Sequence, residues 1–457
     1  MRPIFYIALL FLIYSCRQGV QNKETPLFSL LPSDKTGVDF VNQVPYNVMN
    51  DNNVLSYQYY YNGGGVCLGD INNDGLVDIY FTANKKKNRL YLNLGDMKFK
   101  DITDEAGVGS KRFSTGAVFV DINSDGYDDI YVCNSGVTKN QNKLANQLYI
   151  NNGSGKFVEK AAKYGVDDPN HSTQAAFFDY DLDGDLDLYV MNHSTLFGVP
   201  KKIKDDKKMS KLSGRFLENR NGKYYDITKK AGLLKQSYGL GISVSDVNND
   251  GYPDIYIAND FTIPDFFYIN NGDGTFSDKQ KELTKQVTWF GMGTDIADIN
   301  NDGLLDIGVL DMAANDHYRG KTLMASMNPS NFYYMVNDLK YPYQYMFNSL
   351  QLNNGNGTFT NIANLSGVAK TDWSWGALFA DFNNDGYKDY FVTNGFRKNR
   401  LDNDFQIELK KIKQQHIIIP KKIKEEIYQS IPETKLPNHL YINNKKLQFT
   451  DVSKKEG

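Results

Sequence analysis

Apolar positions along this chain come in short runs, broken by clusters of Asn, Asp and Gly, and the runs repeat. One kind opens on small residues and ends on an aspartate: GGGVCLGD at 63–70, STGAVFVD at 114–121, STQAAFFD at 172–179, GLGISVSD at 239–246, GMGTDIAD at 291–298 and SWGALFAD at 374–381. A second kind follows a short acidic loop, as in DIYFTAN at 78–84, DLYVMNH at 187–193 and DIYIAND at 254–260. Short runs rich in Val, Ile and Tyr, bounded by turn residues, predict strands. Next comes strand, tight Asn/Gly turn and strand, as in NQLYINNGSGKFVEKA at 146–161 or NSLQLNNGNGTFTNIA at 348–363. One repeat is therefore four strands in two hairpins.

Acidic loops begin at Asp70, Asp121, Asp179, Asp246, Asp298 and Asp381, about fifty to eighty residues apart. Four-stranded units at that period predict an all-β propeller, since a linear solenoid uses shorter units. Residues 28–457 form the propeller in this reading, with insertions at 199–212, 311–347 and 400–437. The last reads as helical, with Asp402 or Asp404 as cap and Ile407, Leu409, Ile412 and Ile427 on one partial face; Pro420, Pro432 and Pro437 interrupt it. Insertions in repeat arrays gather on one face, often the binding face. The segment FSLLPSDKTGVDFVNQV at 28–44 resembles the closing strand of a repeat, as in FKDITDEAGV. The expectation is six recognisable blades in a ring that is seven-bladed, truncated or closed irregularly through residues 28–60.

Each loop reads D-x-N/D-x-D-G-x-x-D, the front half of a calcium loop. An EF-hand would add a carboxylate at position twelve, but Phe81, Val132, Val190, Ile257, Val309 and Val392 stand there. Alternate side chains of a tight loop converge, Gly at position six permits the turn, and Asp at nine closes the shell. The candidate ligands are Asp70, Asn72, Asp74 and Asp78; Asp121, Asn123, Asp125 and Asp129; and Asp179, Asp181, Asp183 and Asp187. The other three loops offer Asp246, Asn248, Asp250 and Asp254; Asp298, Asn300, Asp302 and Asp306; and Asp381, Asn383, Asp385 and Asp389. Asn/Asp/Gly turns need no metal, yet a bare turn does not require Asp at positions one, five and nine in all six copies. Up to six structural Ca²⁺ ions are expected, Mg²⁺ being the poorer fit. Asp185 gives the third loop a further carboxylate.

Charge is nearly balanced, at −3, so no nucleic-acid partner is expected. Arg2 precedes an apolar run from Ile4 to Ile13, too short to span a bilayer but suited to a signal peptide over 1–15. LIYSC resembles a lipobox, which makes Cys16 the acylated first residue of a mature chain and 16–27 its tether; a cleaved signal peptide with an incidental Cys is the alternative. Cys67 and Cys133 read as buried free thiols rather than a disulfide, and no zinc spacing occurs. The hydrolase, metalloprotease and phosphate-loop motifs are all missing from the sequence. His171, His193, His317, His416 and His439 are scattered and read as surface or packing residues. Trp373 and Trp375 read as core, or alternatively as a sugar-stacking platform. The lysine runs at 201–211 and 410–424 read as solvated faces.

The six acidic loops, paired with LYxNxGxGxF hairpins, resemble FG-GAP/VCBS repeat proteins, whose propeller is like the integrin α-subunit head. The nearer likeness is to bacterial surface lipoproteins that join such repeats to an ASPIC/UnbV domain, the group related to cartilage acidic protein. No ASPIC/UnbV domain is found in these residues. The resemblance implies a monomeric, calcium-binding propeller, lipid-anchored at a Gram-negative outer membrane or extracellular, that binds a protein or glycan. A polysaccharide-acting enzyme or its accessory subunit is the alternative.

Overall fold

The computed structural model describes residues 26–50, 52–138, 140–196, 203–323 and 329–456. The expected signal peptide, Cys16 and most of the tether lie outside these residues.

Six four-stranded antiparallel sheets follow one another along the chain, each in simple meander order. Blade one comprises Val66–Gly69, Asp78–Phe81, Arg89–Asn93 and Phe99–Asp101; blade two comprises Ser114–Val120, Asp129–Asn134, Gln147–Asn151 and Phe157–Glu159. Blades three to six open on the innermost strands Ser172–Phe178, Gly239–Ser245, Thr294–Ala297 and Ser374–Ala380. These innermost strands lie side by side from blade one to blade six, as in a propeller. Each acidic loop joins the two inner strands, so all six loops open on the same face.

The alternation of side chains explains why this sequence stacks blade on blade. The residue two before each loop turns toward the preceding blade, and Gly69 leaves room there: a Cβ on it would meet the Phe119 ring at 2.7 Å. The eleventh position turns toward the following blade. Tyr131 stands there fully buried, and its hydroxyl donates to Val166 O at 2.8 Å; Tyr80 donates likewise to Val108 O at 2.9 Å. A buried tyrosine needs such a partner, and the connector to the next blade supplies it. Position twelve is buried in blades two to six, while Phe81 is only half-buried and stacks on Phe40 at 4.8 Å. The apolar clusters accordingly lie between blades.

A less visible device links the blades at the loop face. In blades two, four, five and six the asparagine closing the third strand donates its Nδ2 to a loop carbonyl of the blade before it: Asn151 to Ile71 O (2.8 Å), Asn270 to Tyr180 O (2.8 Å), Asn353 to Val247 O (3.3 Å) and Asn443 to Ile299 O (2.8 Å), whereas Asn219 of blade three reaches Leu186 O of its own blade at 3.3 Å. The backbone N–H of each also donates to the ninth-position aspartate of its own loop.

The three insertions leave from the second-to-third strand connections, so they sit on the face away from the loops. The last holds helices Asn403–Gln415 and Lys421–Ser430; Asp402 is the cap, accepting Phe405 N at 3.0 Å. Leu409 and Ile427 are buried as expected, but Ile407 is 56% exposed. In the fifth repeat Tyr343–Tyr345 pairs in parallel with Gln286–Thr288 outside the blade. Residues 44–61 cross the same face. Tyr46 stacks on Tyr428 at 3.8 Å, the Tyr61 and Tyr428 hydroxyls are hydrogen-bonded, and Tyr59 donates to Asp260 at 3.2 Å. Trp373 is buried against Phe396 at 3.9 Å, and Trp375 packs on the same cluster with its Nε1 donating to Gly395 O; the platform reading gives way to core packing. Cys67 and Cys133 are free, and burial pushes both thiols up.

Residues 28–37 behave as the outer strand and turn of one more blade. Phe28 N donates to Glu456 O at 3.1 Å, as Phe276 N donates to Ala231 O at 2.9 Å between blades three and four. The helical turn Ser33–Thr36 ends on Gly37 (φ 78°), against which a Cβ would meet Phe99 O at 2.3 Å. Gly165 and Gly232 face Tyr224 O and Phe276 O in the same way, at 2.8 and 2.9 Å. These contacts match those of a closing strand and its turn, although residues 28–44 form no strand.

The asparagine links generate a graded expectation. Asn151→Ala removes a buried donor shared by two carbonyls and should cost about 2–3 kcal/mol. Asn93, whose Nδ2 reaches only Val77 O of its own blade, should cost about 1 kcal/mol. Urea unfolding of the two variants checks this; equal losses would remove the inter-blade role.

Candidate metal centres

All six loops share one backbone conformation. Position four is left-handed in each, with φ between 55° and 62° at Asn73, Ser124, Leu182, Asn249, Asn301 and Asn384, and the sixth-position glycines follow at 81–92°. The first aspartate holds this turn: Asp70 accepts the N–H of Asp74 at 3.2 Å and of Gly75 at 2.8 Å. Asp246 accepts those of Asp250 and Gly251 at 3.0 and 2.7 Å. Asp121, Asp179, Asp298 and Asp381 do the same. Asp74, Asp125, Asp183, Asp250, Asp302 and Asp385 each accept the N–H of the seventh residue, at 2.8–3.1 Å.

The ninth aspartate ties loop to blade. Asp78 accepts Ile71 N at 3.0 Å and Asn93 N at 2.7 Å. Asp129, Asp187, Asp254, Asp306 and Asp389 repeat the pair with their own loop and third strand. All six are at most 1% exposed. Burial, the largest cause, pushes Asp129 and Asp254 up to about 7, Asp187 to about 8 and Asp306 to about 6; the backbone donors oppose it and the other loop carboxylates add to it. Asp78 and Asp389 are raised for the same reasons.

The third position separates the loops. Asn72, Asn123, Asn248 and Asn300 donate Nδ2 to the fifth-position carboxylate at 2.8–2.9 Å, and Asn383 does so at 3.4 Å. Asp181 has no amide to offer. Oxygens of Asp179, Asp181 and Asp187 lie within 4.8 Å of one another, and among the described residues these form the one acidic, His or Cys group close enough to share an ion. Burial and the Asp183 and Asp179 charges push Asp181 up. Asp185, similarly raised, has a buried Oδ1 with no hydrogen-bond partner. In the sixth loop Lys445 Nζ approaches Asp385 at 3.5 Å and contributes to holding that carboxyl low, after the Tyr387 N–H. An all-oxygen, carboxylate-rich donor set fits a hard divalent cation. Asp179, Asp181, Asp183 and Asp187 would hold it in the third loop; in the others the Oδ1 of Asn72, Asn123, Asn248, Asn300 or Asn383 would join the three carboxylates of its loop as a ligand.

The scattered-histidine reading misses one cluster on the opposite face. His171 and His193 sit with ring centroids 5.1 Å apart. Ser135 Oγ lies 3.1 Å from His193 Nε2, 3.4 Å from His171 Nδ1 and 2.9 Å from the Tyr57 hydroxyl, which is itself 3.0 Å from His193 Nε2. His193 Nδ1 faces Ser194 O at 3.2 Å, which leaves Nε2 as acceptor. Burial, with His171 beside it, pulls His193 down to about 3, and burial also lowers His171. The imidazoles are neutral, and Tyr57 closes the cluster. Blades two and three and the crossing segment contribute to it. Ser135 follows Asp129–Asn134, while His171 and His193 flank the two inner strands of blade three, His193 N donating to His171 O at 3.0 Å, so no local sequence signal marks the meeting with Ser135 and Tyr57.

Comparison with known proteins places these loops in context. The family model for the FG-GAP-like repeat matches residues 70–132, 135–190, 246–309 and 335–392, together more than half of the chain. Cartilage acidic protein 1 of Xenopus tropicalis is 27% identical over 264 residues, 53% of this chain and 39% of that protein. The Homo sapiens protein is 27% identical over 265 residues, 53% and 38% respectively. The chain thus spans about two fifths of the length of these relatives. Among solved structures, an Agrocybe aegerita lectin described as recognising non-reducing terminal N-acetylglucosamine aligns over 84% of this chain and 79% of its own, with 15% identity and a TM-score of 0.42. The V. cholerae biofilm matrix protein Bap1 aligns over 69% and 46%, with 13% identity and a TM-score of 0.33. Scores this low carry no argument about ligands. Four matched segments, all built on the acidic loop and its following strand, make this chain a member of the FG-GAP-like repeat family.

Proposed function

We propose that the protein is a calcium-pinned propeller of the cell envelope that presents its insertion face to a protein or glycan partner, with the metal in a structural role. The third loop carries the reading: three carboxylates within 4.8 Å, one of them lacking the amide donor that its counterparts have. The other five loops keep the same hydrogen-bonded frame around fewer charges. Binding a cation to the folded state alone stabilises it by about 2.7 kcal/mol per site at a hundredfold excess over Kd. Cys16 would supply the lipid anchor. The partner site falls on the face away from the loops, where all three insertions gather and where Tyr318, Tyr333 and Tyr343 are 72%, 68% and 49% exposed.

Calcium removal is the direct test. Adding millimolar Ca²⁺ to stripped protein should raise Tm by roughly 10 °C or more if most loops fill. Asp181→Asn should raise the Tm of the metal-free protein, by relieving repulsion, while reducing the gain on adding Ca²⁺. An unchanged Tm with and without Ca²⁺ would sink the metal reading.

Acidity gives a second check. The ninth-position carboxyls sit higher in the folded chain than the ordinary value near 4 of an unfolded one. Between pH 6.5 and 8 the folded metal-free state therefore binds more protons, and its stability falls as pH rises. Scanning calorimetry should show Tm dropping by several degrees across that window without metal and a flatter profile with Ca²⁺. His171 and His193 act in the opposite direction only at lower pH.

Anchoring and partner binding separate by variant. Cys16→Ser should release the protein from the membrane fraction without changing its Tm. A double Tyr333→Ala, Tyr343→Ala variant should stay anchored but lose signal on a glycan or surface-protein array; unchanged array binding would move the partner site elsewhere.

A further inference from the structure

The turn between the helices Asn403–Gln415 and Lys421–Ser430 carries apolar residues where a turn is ordinarily polar. It reads His416-Ile417-Ile418-Ile419-Pro420. Ile417 is fully exposed and Ile418 is 83% exposed. The hairpin is not short of a core: Leu409 and Ile427 are buried, and Ile412, Ile419 and Ile423 pack on the same cluster. Its inward face is filled, and Ile417 and Ile418 are left at the apex. One exposed isoleucine needs no explanation; two adjacent ones inside a collar of charge do.

That collar has one sign. Residues 409–424 hold six lysines and no carboxylate, in a chain whose net charge is −3. Lys411 reaches back to Glu408 at 3.3 Å and Lys422 forward to Glu426 at 3.9 Å, both exposed pairs of little strength. Lys410, Lys413, Lys421 and Lys424 form no ion pair with the described residues. Beside the apex, between the hairpin and the segment that crosses the face, lies a cavity of about 290 Å³. Its polar lining is Asn53, Ser56, Arg400, Gln406, Lys413 and Lys424, three cations without a carboxylate, and Ile419, the neighbour of Ile418, stands in its apolar wall. Arg400 is half-buried; its guanidinium feels the charge of Asp260 but lies beyond ion-pair distance of it.

We infer that this hairpin is a contact site for an anionic phospholipid bilayer. Ile417 and Ile418 enter the acyl boundary, the lysines meet headgroup phosphates, and the cavity at Arg400 seats one of those phosphates. The occupant follows from having both features together. A basic collar by itself would suit any polyanion, but a soluble polyanion has no apolar phase to receive two isoleucines. An apolar apex by itself would suit a second copy of the chain, but two hairpins apex to apex would set six lysines against six. Anionic headgroups above a hydrocarbon layer answer both demands, and lysine stems cover apolar surface while their ammonium groups stay among the phosphates. Such a contact is reversible and weakened by salt. It orients the chain on a surface and does not replace a covalent anchor.

The inference rests on neither calcium nor Cys16, and its readout is local to the apex, so any other tether is common to every arm. Ile418→Trp in the full chain is titrated with vesicles of bromine-labelled lipid, either phosphatidylglycerol and phosphatidylcholine in equal parts or phosphatidylcholine alone. The emission gained over the unsubstituted chain should be quenched on the mixed vesicles at about 0.1 M salt and recover at about 1 M. Phosphatidylcholine alone should leave it unquenched. Adding Lys413→Glu and Lys424→Glu should raise the lipid concentration needed for half-quenching about tenfold or more. Val158→Trp, at a 54% exposed position on the outer strand of blade two, should report no quenching. Equal quenching on both kinds of vesicle, none on either, or indifference to the two lysine changes overturns the inference. So does a lipid-free dimer that Ile417→Asp dissociates, because the apex would then seat a second copy. Matched Tm values confirm that the variants are folded.

Discussion

A carboxylate buried at the base of every acidic loop is the constraint on which this structure depends. It accepts one N–H from its loop and one from the third strand of its blade, so loop, inner hairpin and outer hairpin meet on a single side chain. Burying an anion is costly unless donors or a cation surround it. Two backbone donors meet part of that need, and the raised affinity for protons shows that they do not meet all of it. The remaining demand faces the loop, where the other carboxylates converge. An all-oxygen set of this kind suits a small hard cation, which is the ligand proposed for it.

The loop face and the insertion face divide the work. Near-identical loops on one side impose a common geometry on six blades that differ in length and sequence. On the other side the connections are free to vary, and they carry the helices, the parallel strand pair and the exposed tyrosines. Because the second strand of each blade runs from one face to the other, an insertion can change the far surface without touching the loop that fixes its blade.

Much of this was legible in the sequence, and what was not has a physical reason. Four strands per repeat and six loops follow from period-two alternation and turn residues, which are local signals. Asp402 as cap and Leu409 and Ile427 as buried helix positions follow from local rules too. Asn151 was visible only as a turn residue, since its role depends on a carbonyl some eighty positions earlier. Ser135 lies on blade two and His171 and His193 on blade three, so Ser135 meets the two histidines only through the packing of those blades. Trp373 and Trp375 read as core, and the sugar platform stayed open as the alternative because Phe396, the ring that Trp373 stacks on, belongs to the following strand connection. Phe81 matched the pattern of its counterparts, and only the ring reveals that its side faces a place no described blade fills.

The segment crossing the insertion face has a consequence for how the chain reaches its native state. Residues 44–61 precede every blade in synthesis, yet their tyrosines bind Ser135, His193, Asp260 and Tyr428, spread across the whole length that follows. None of those anchors exists while the segment emerges, and contacts so distant along the chain form slowly. The first blades must therefore stack as a curved open array before anything spans them. Docking of this early segment is then the terminal event of assembly, the step that converts a stack of nearest-neighbour units into one cooperative body.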